Sequence, residues 1–259
     1  MTRIDVLVAA QTGVSREVAK ELIVTGKVST NGAVCTKAGA KFADDSVILV
    51  DDSGERFVSR GGQKLAKAIA VFGIEVEGRM CLDIGASTGG FTDCLLRNGA
   101  KQVIAAENGA GQMDERIRAD ERVISMENTD IRTVKLDIKF DFITCDVSFI
   151  SSTKIIPSIV GFMAENGSAV ILVKPQFEVG PKVVSKRGVV KSEKAHISAV
   201  YGVLDCVSAN GLTVRGLDYS PITGGSGNIE YLLHVSKNTD KATVIDVKSV
   251  VKSAFEGLL

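Results

Sequence analysis

The sequence is poor in the residues from which metal sites and disulfide frameworks are built. It has no tryptophan and only two histidines, His196 and His234, so we expect no histidine-based metal site. Its five cysteines are odd in number, scattered and never arranged as a Cys-x-x-Cys pair. This pattern is typical of free thiols in a reducing cytoplasm rather than of a zinc site or a disulfide framework.

Long apolar runs are also missing. No stretch approaches about 20 uninterrupted apolar residues, so the sequence predicts no membrane span. The residues after Met1 lack the charged, apolar and cleavage-site layout of a secretory signal. We therefore expect a cytoplasmic protein that has neither a membrane partner nor a metal.

Neither sign of charge is in excess, because 31 Lys and Arg residues balance 31 Asp and Glu residues. The total charge therefore argues neither for nor against a polyanionic partner, and only the distribution of charge can decide. Apolar residues make up 45% of the 259 residues, which is enough for the core of a large domain accompanied by a small one.

The first 60 or so residues differ from the rest of the chain. Ser15 is placed to cap a short amphipathic helix that ends at Gly26, and Asn31-Gly32 predicts a tight hairpin between two short strands. A further strand is predicted at 47–50, and the polar turn at 51–54 is a plausible domain edge. The sequence predicts a small α+β domain over 1–54, a linker and first helix over 55–78, and a large domain over 79–259.

After Gly78, short apolar runs alternate with helical stretches. This alternation predicts an α/β fold of the Rossmann-like type, in which a largely parallel sheet is covered by helices on both faces. The predicted strands are 80–84, 103–106, 123–124, 140–145, 169–173, 212–217 and 231–235. Residues 242–255 carry an apolar stripe and are predicted to form a closing helix.

A glycine-rich loop follows the first of these strands. From Gly85 to Gly90 its spacing is Gly-x-x-x-Gly-Gly, which fits neither a dinucleotide loop nor a phosphate-binding P-loop. Asp83 would repel a pyrophosphate but suits a cationic, methionine-like ligand. Glu107, 22 residues after Gly85, is where a carboxylate accepts hydrogen bonds from both ribose hydroxyls of an adenosine. These features favour S-adenosylmethionine (SAM); the alternative is a tight strand–helix turn without a ligand.

Five blocks of sequence, spread over most of the chain, form a recognisable set. They are 59–65, 83–93, 145–151, 173–178 and 220–222 leading to 227–233. Together they resemble the hemolysin A (TlyA) family of ribosomal RNA ribose methyltransferases, and the first 60 or so residues look like the S4-like RNA-binding module of that family. The resemblance implies an FtsJ-like, SAM-dependent methyltransferase domain whose partner is ribosomal RNA or a ribosomal subunit.

The resemblance also implies roles for individual residues. The Lys-Asp-Lys-Glu tetrad of these 2′-hydroxyl methyltransferases carries over to Lys64, Asp146, Lys174 and Glu230. The expected SAM-binding residues are Asp83, Gly85, Ala86, Ser87, Gly89, Gly90, Phe91, Glu107, Asp130 and Asp146. The chain departs from the family after Glu107. Residues 108–112, Asn-Gly-Ala-Gly-Gln, stand where the family is expected to have Asp-Val-Gly and often an aromatic, and this departure concerns cofactor affinity.

The tetrad is chemically reasonable for methylation of a ribose. A ribose hydroxyl is a poor nucleophile, so its oxygen must be aligned with the methyl donor and at least partly deprotonated. We expect Lys174 to act as the base, Lys64 and Glu230 to position the hydroxyl, and Asp146 to lie near the methyl donor. Asp146 and Lys174 both follow apolar strands, and the ends of such strands are where functional sites commonly lie. The alternative for Asp146 is that its carboxylate only caps a helix.

The distribution of charge favours a nucleic-acid partner. Residues 1–43 contain six Lys or Arg against three acids, and residues 174–194 contain six against two. Any one such cluster can be an ordinary solvated face, but together they can neutralise phosphates. With aromatics at 5%, recognition of a structured RNA by shape and phosphate fits better than base stacking. The predicted RNA-binding residues are Arg3, Arg16, Lys20, Lys27, Lys41, Arg60, Lys182, Lys186 and Arg187.

Three other functions remain open at this point. A small-molecule methyltransferase would share the sheet but would not need the basic N-terminal module. A non-catalytic protein that binds RNA or ribosomes could retain a relic of the SAM pocket, and the Glu107-Asn108 departure is the only hint of that. Literal haemolysis is disfavoured because a pore-former needs an amphipathic or apolar membrane segment, and the sequence shows none.

Overall fold

The chain forms two compact units, residues 1–56 and residues 57–259, in a computed structural model. The structure describes residues 1–24, 26–50, 57–238 and 243–258. The turn at 51–54, which is the predicted domain edge, lies outside the described residues. The helix that carries Lys64 belongs to the second unit.

The first unit combines two helices with short strands. Its elements are β1 (Thr2–Arg3), α1 (Ile4–Thr12), α2 (Arg16–Val24), β2 (Val28–Thr30), β3 (Ala33–Val34), β4 (Lys41–Phe42) and β5 (Ile48–Val50). β2 lies between β3 and β5, while β1 pairs with β4. The predicted cap is confirmed, because the Ser15 hydroxyl accepts from the Val18 amide at 3.3 Å. The predicted hairpin is confirmed too, with positive φ at Asn31 and Gly32.

The second unit is an α/β domain. Its elements are α3 (Gly61–Phe72), β6 (Met80–Ile84), α4 (Gly90–Arg97), β7 (Gln102–Ala106), α5 (Glu115–Arg118), β8 (Val123–Met126), β9 (Phe140–Cys145), a 3-10 turn (Ser152–Lys154), α6 (Ile156–Phe162), β10 (Met163–Val173), α7 (Pro175–Glu178), α8 (Glu193–Ala209), β11 (Thr213–Tyr219), β12 (Tyr231–Ser236) and α9 (Val247–Leu258). The sheet order is β11-β12-β10-β9-β6-β7-β8, and β12 runs opposite to the other six strands. The predicted, largely parallel α/β fold is confirmed.

Apolar side chains leave this sheet on both faces. Within β10, Val170 and Leu172 enter one core, while Ile171 and Val173 enter the other, and all four are buried. Successive side chains of a strand point to opposite faces, so a continuous apolar run is what a sheet covered on both sides requires. Among the described residues, no helix is long and apolar enough to cross a membrane.

The strand directions bring distant parts of the sequence to one edge of the sheet. The parallel strands β6, β9 and β10 end side by side, which places Gly85, Asp146 and Lys174 at that edge. Because β12 is antiparallel, its first residue pairs with the last residue of β10, and Glu230 just before it reaches the same edge. This edge is where open α/β sheets bind their ligands.

Candidate active site

The glycine-rich loop is shaped by close backbone approaches. Gly85 has φ +82°, and a Cβ at this position would lie 2.5 Å from the backbone oxygen of Asp146. A Cβ on Gly90 would lie 2.1 Å from the Ser59 hydroxyl oxygen. Side chains at either position would push the loop away from β9 or from the segment that leads into α3, so these two glycines are needed for packing at the sheet edge.

Asp83 lies beneath this loop and is fully buried. Its two carboxylate oxygens accept hydrogen bonds from the hydroxyls of Thr92 at 2.7 Å and Thr144 at 2.8 Å. Burial raises the pKa of Asp83 to about 6, although the two hydroxyls partly offset that effect. Asp83 lines neither of the two cavities at this sheet edge, and the same is true of Gly89, so the structure does not bring these two predicted SAM-binding residues to a cavity wall.

The larger cavity has a volume of about 810 Å³ and lies beyond the ends of β6, β7 and β9. Gly85, Ser87, Glu107, Asp130 and Asp146 line it, together with apolar side chains from the same edge. Glu107 accepts from the backbone amides of Ser87 at 3.0 Å and Gly109 at 2.8 Å, which fixes its carboxylate at the cavity wall.

Asp130, at the same wall, pairs with Arg132 at 2.6 Å. Hydrogen bonds from the Arg132 side chain and backbone lower the pKa of Asp130 to about 2. Asp130 therefore lines the cavity as a carboxylate at neutral pH.

The smaller cavity, about 180 Å³, adjoins the larger one and holds three members of the predicted tetrad. Lys64, Asp146 and Lys174 all line it, together with Ala86, Gly90 and Phe91 of the glycine loop. The fourth member, Glu230, pairs with Lys64, whose ammonium donates to the Glu230 carboxylate at 2.6 Å. Lys64, Lys174 and Glu230 are 8%, 7% and 3% exposed, whereas the Asp146 side chain is 20% exposed. The structure therefore brings the four residues together, and three of them are largely shielded from water.

Lys174 has two partners. Its ammonium nitrogen lies 2.6 Å from Asp146 Oδ1, a charge contact without hydrogen-bond geometry, and it donates a hydrogen bond to the Ser148 hydroxyl at 2.9 Å. The residue-level reasoning from sequence did not single out Ser148. The only signal for it was its place two residues after Asp146 in the block 145–151.

A partly buried hydrogen-bond network holds the loop that follows Asp146. The Glu178 carboxylate accepts from the Ser152 amide at 2.8 Å and from the hydroxyls of Ser152 at 2.7 Å and Ser151 at 2.5 Å. The segment after β9 is thereby tied to the segment after β10, and so Asp146 and Lys174 are held in register. Between them, Phe149 has φ +63° and is 92% exposed at the wall of the larger cavity.

The predicted RNA-binding residues are exposed or partly exposed on their own units. In the first unit, Arg3 and Arg16 both pair with the buried Asp5, at 2.9 and 3.1 Å, and the hydrogen bond from Arg3 is the main cause that lowers the pKa of Asp5 to about 2. Lys20 and Lys41 are exposed and Lys27 is partly exposed. The predicted RNA-binding residues of the second unit, Arg60, Lys182, Lys186 and Arg187, are all exposed.

The comparisons with known proteins agree with this geometry. The sequence model of a protein family, described as FtsJ-like methyltransferase, matches residues 57–237, which is most of the chain. The chain belongs to the FtsJ-like methyltransferase family. Its expected resemblance to the hemolysin A (TlyA) branch of this family is confirmed by the relatives.

Three relatives are similar to this methyltransferase over most of both chains. A candidate rRNA methyltransferase of Bacillus subtilis, YqxC, is 42% identical over 90% of this chain and 85% of its own length. The 16S/23S rRNA (cytidine-2′-O)-methyltransferase TlyA of Mycobacterium tuberculosis is 40% identical over 88% of this chain and 87% of its own. A solved structure from Streptococcus thermophilus, described as a candidate hemolysin, is 39% identical, covers 99% of this chain and 96% of its own, and has a TM-score of 0.77.

Proposed function

We propose that this protein transfers a methyl group from SAM to the 2′-hydroxyl of a ribose in ribosomal RNA. The observation that carries the proposal is the convergence of Lys64, Asp146, Lys174 and Glu230 into two ion pairs beside the glycine loop, one buried and the other partly buried. The names of relatives that cover most of the chain, among them a ribosomal RNA (cytidine-2′-O)-methyltransferase, support the same reaction and the same class of substrate.

The residues at the larger cavity fit SAM. A cavity of about 810 Å³ is within the range of pockets that hold small ligands, and Gly85 and Ser87 of the glycine loop line its wall. Glu107 presents a carboxylate where a ribose edge would lie, and Asp146 presents another where the two cavities meet. When bound, SAM supplies an electrophilic methyl group on a sulfonium centre, whose positive charge suits the Asp146 carboxylate.

The ion pairs at the smaller cavity are suited to orienting the 2′-hydroxyl of the substrate and removing its proton. The 2′-hydroxyl must approach the donor in line, and its proton must leave as the new carbon–oxygen bond forms. We assign the role of base to Lys174, whose neutral amine accepts the proton of the 2′-hydroxyl. Ser148 and Asp146 orient the Lys174 side chain. The Lys64–Glu230 pair offers a donor and an acceptor that orient the hydroxyl from the other side.

The basic residues supply the contacts to RNA in this proposal. Arg3, Arg16, Lys20, Lys27 and Lys41 belong to the first unit, which we propose to be an S4-like RNA-binding domain. The residues proposed to contact phosphates in the second unit are Arg60, Lys182, Lys186 and Arg187. Charge contacts of this kind position an RNA backbone and weaken as the salt concentration rises.

The deciding experiment is transfer of tritium from labelled SAM to ribosomal subunits that lack ribose methylation. Wild type is compared with Lys174→Ala and with the control Lys252→Ala, which removes an exposed lysine that pairs with Glu256 on α9. We expect label on RNA, in a linkage that resists alkaline cleavage, from wild type and control but not from Lys174→Ala. SAM binding without transfer would point to a small-molecule substrate, and absence of SAM binding would point to a non-catalytic RNA-binding protein.

A further inference from the structure

A short turn carries two of the basic residues that the proposed function assigns to RNA. In this basic turn, residues 185–190, the amide of Gly188 donates to the carbonyl of Ser185 at 2.8 Å, and the amide of Ser185 donates to the carbonyl of Val189 at 3.0 Å. The Ser185 hydroxyl accepts from the Val189 amide at 3.0 Å. Lys186 and Arg187 are exposed at the tip.

Asn228 holds the exit of the basic turn from the side of the active site. Its side-chain amide donates to the carbonyl of Gly188 at 2.8 Å and accepts from the amide of Val190 at 3.0 Å. Asn228 is 2% exposed, and its own backbone carbonyl accepts from Gly224 at 2.8 Å. One buried side chain therefore makes a donor and an acceptor bond to the turn, a geometry that fixes orientation as well as distance.

His196 holds the same segment from α8. Its Nε2 lies 3.0 Å from the carbonyl oxygen of Val190, and its Nδ1 lies 2.8 Å from the hydroxyl of Tyr231. A carbonyl can only accept, so Nε2 carries the proton, and in the neutral ring Nδ1 accepts from Tyr231. The ring is fully buried, and burial lowers its pKa, which favours this neutral form.

Both anchors, Asn228 directly and His196 through Tyr231, lead to residues close to Glu230 in the sequence. Asn228 stands two positions before Glu230, and Tyr231 stands directly after it. Three backbone groups of the basic turn are thus tied, directly or through His196, to the segment that carries Glu230 and its partner Lys64. A shift of the turn along this segment would change the distance between its two cations and the reacting hydroxyl.

We infer that Asn228 and His196 are positioning residues that set the register between the phosphates held by Lys186 and Arg187 and the hydroxyl oriented by Glu230. The inference rests on the proposed function, because it needs an RNA substrate that contacts both places. A misplacement of about 1 Å can cost about 100-fold in rate, so a small loss of register is enough to be measured.

A double-mutant cycle tests the inference. The turn variant, Lys186→Ala with Arg187→Ala, is made in the wild-type, Asn228→Ala and Asn210→Ala backgrounds, and kcat/KM for ribosomal RNA is measured at one salt concentration. Asn210→Ala is the matched control, because the Asn210 amide donates to the carbonyl of Cys206 at the end of α8 and does not contact the turn. A residue that only stabilises the fold would leave the two effects independent.

We expect the turn variant to lower kcat/KM about tenfold or more in wild type and in Asn210→Ala, but less than about threefold in Asn228→Ala. SAM affinity should stay unchanged in all of them. Asn228→Asp keeps the acceptor for the Val190 amide but not the donor for the Gly188 carbonyl. In this background the turn variant should therefore cause a loss of kcat/KM between the other two, and Asn228→Asp replaces Asn228→Ala in the cycle if the alanine variant does not fold. Equal losses in every background would overturn the inference alone; no methylation by wild type would overturn the proposed function and the inference with it.

Discussion

The buried carboxylate beneath the glycine loop allows a prediction about stability. Asp83 is fully buried and its pKa is about 6, against 3.8 for an unperturbed aspartate. In Asp83→Asn a neutral amide of nearly the same shape replaces it. The variant keeps an acceptor for one threonine hydroxyl, and the other hydroxyl can turn to accept from the amide, so the packing under the loop should survive.

The direction and size of the effect follow from the raised pKa. A carboxyl group whose pKa is higher in the folded state stabilises the fold most when protonated, and this contribution disappears as the pH rises through about 6. The shift of about two units corresponds to about 3 kcal/mol in total. About 2 kcal/mol of it is lost between about pH 4.5 and about pH 7.5. The rest is lost below about pH 4.5, where the aspartate of the unfolded chain, with a pKa of 3.8, already releases its proton while the folded one keeps it.

Urea unfolding of wild type and Asp83→Asn, followed by circular dichroism over that pH range, measures the effect. We expect the free energy of unfolding of wild type, relative to the variant, to fall by about 2 kcal/mol as the pH rises. The titrations of His196 and His234, whose pKa values are both lowered, are common to the two proteins and cancel in the difference. A difference between the proteins that does not vary with pH would refute a raised pKa at Asp83.

Further variants probe other parts of the site. Glu107→Ala should raise the Kd for SAM about tenfold in calorimetry while kcat at saturating SAM changes little, and an unchanged Kd would contradict a ribose contact. Gly85→Ala should lower the unfolding midpoint and abolish SAM binding, since its Cβ would lie 2.5 Å from a backbone oxygen at positive φ. Lys64→Met alone should cost about 3 kcal/mol by leaving Glu230 unpaired, whereas Lys64→Met with Glu230→Leu should recover most of that stability in urea unfolding but no methyl transfer. Recovery of activity in the double variant would remove the pair from the mechanism.

The strands of the sheet could be predicted from sequence because they are continuous apolar runs between turn residues. The same property hid helix α1: Ile4–Thr12 is apolar nearly throughout its first two turns, so it shows no period of 3.6 residues. The start of the closing helix was predicted too early, because the apolar stripe begins near Val244. Helix α9 starts at Val247. Asp246 caps it, since its carboxylate accepts a hydrogen bond from the Ser249 amide.

The site was predictable where it follows from strand direction. Asp146 and Lys174 stand directly after parallel neighbouring strands, so their meeting needed only the sheet order. Lys64 is different, because it lies on a helix that precedes the sheet, 166 residues from its partner Glu230, and only the family resemblance pointed to it. The environment of Asp83 was not predictable either, since Thr92 and Thr144 meet it through tertiary packing alone.

The cost of the two ion pairs argues that they serve chemistry rather than stability. Lys64, Lys174 and Glu230 are less than 10% exposed, and taking such charges out of water is compensated only in part by pairing them. Apolar residues of similar size would stabilise this edge of the sheet at least as well. The pairs also lie where the ends of β9 and β10 and the start of β12 converge on a cavity, which is where a fold of this type leaves space for a substrate. Groups that are costly to bury and that face an open cavity are those that a reaction needs in place before the substrate arrives.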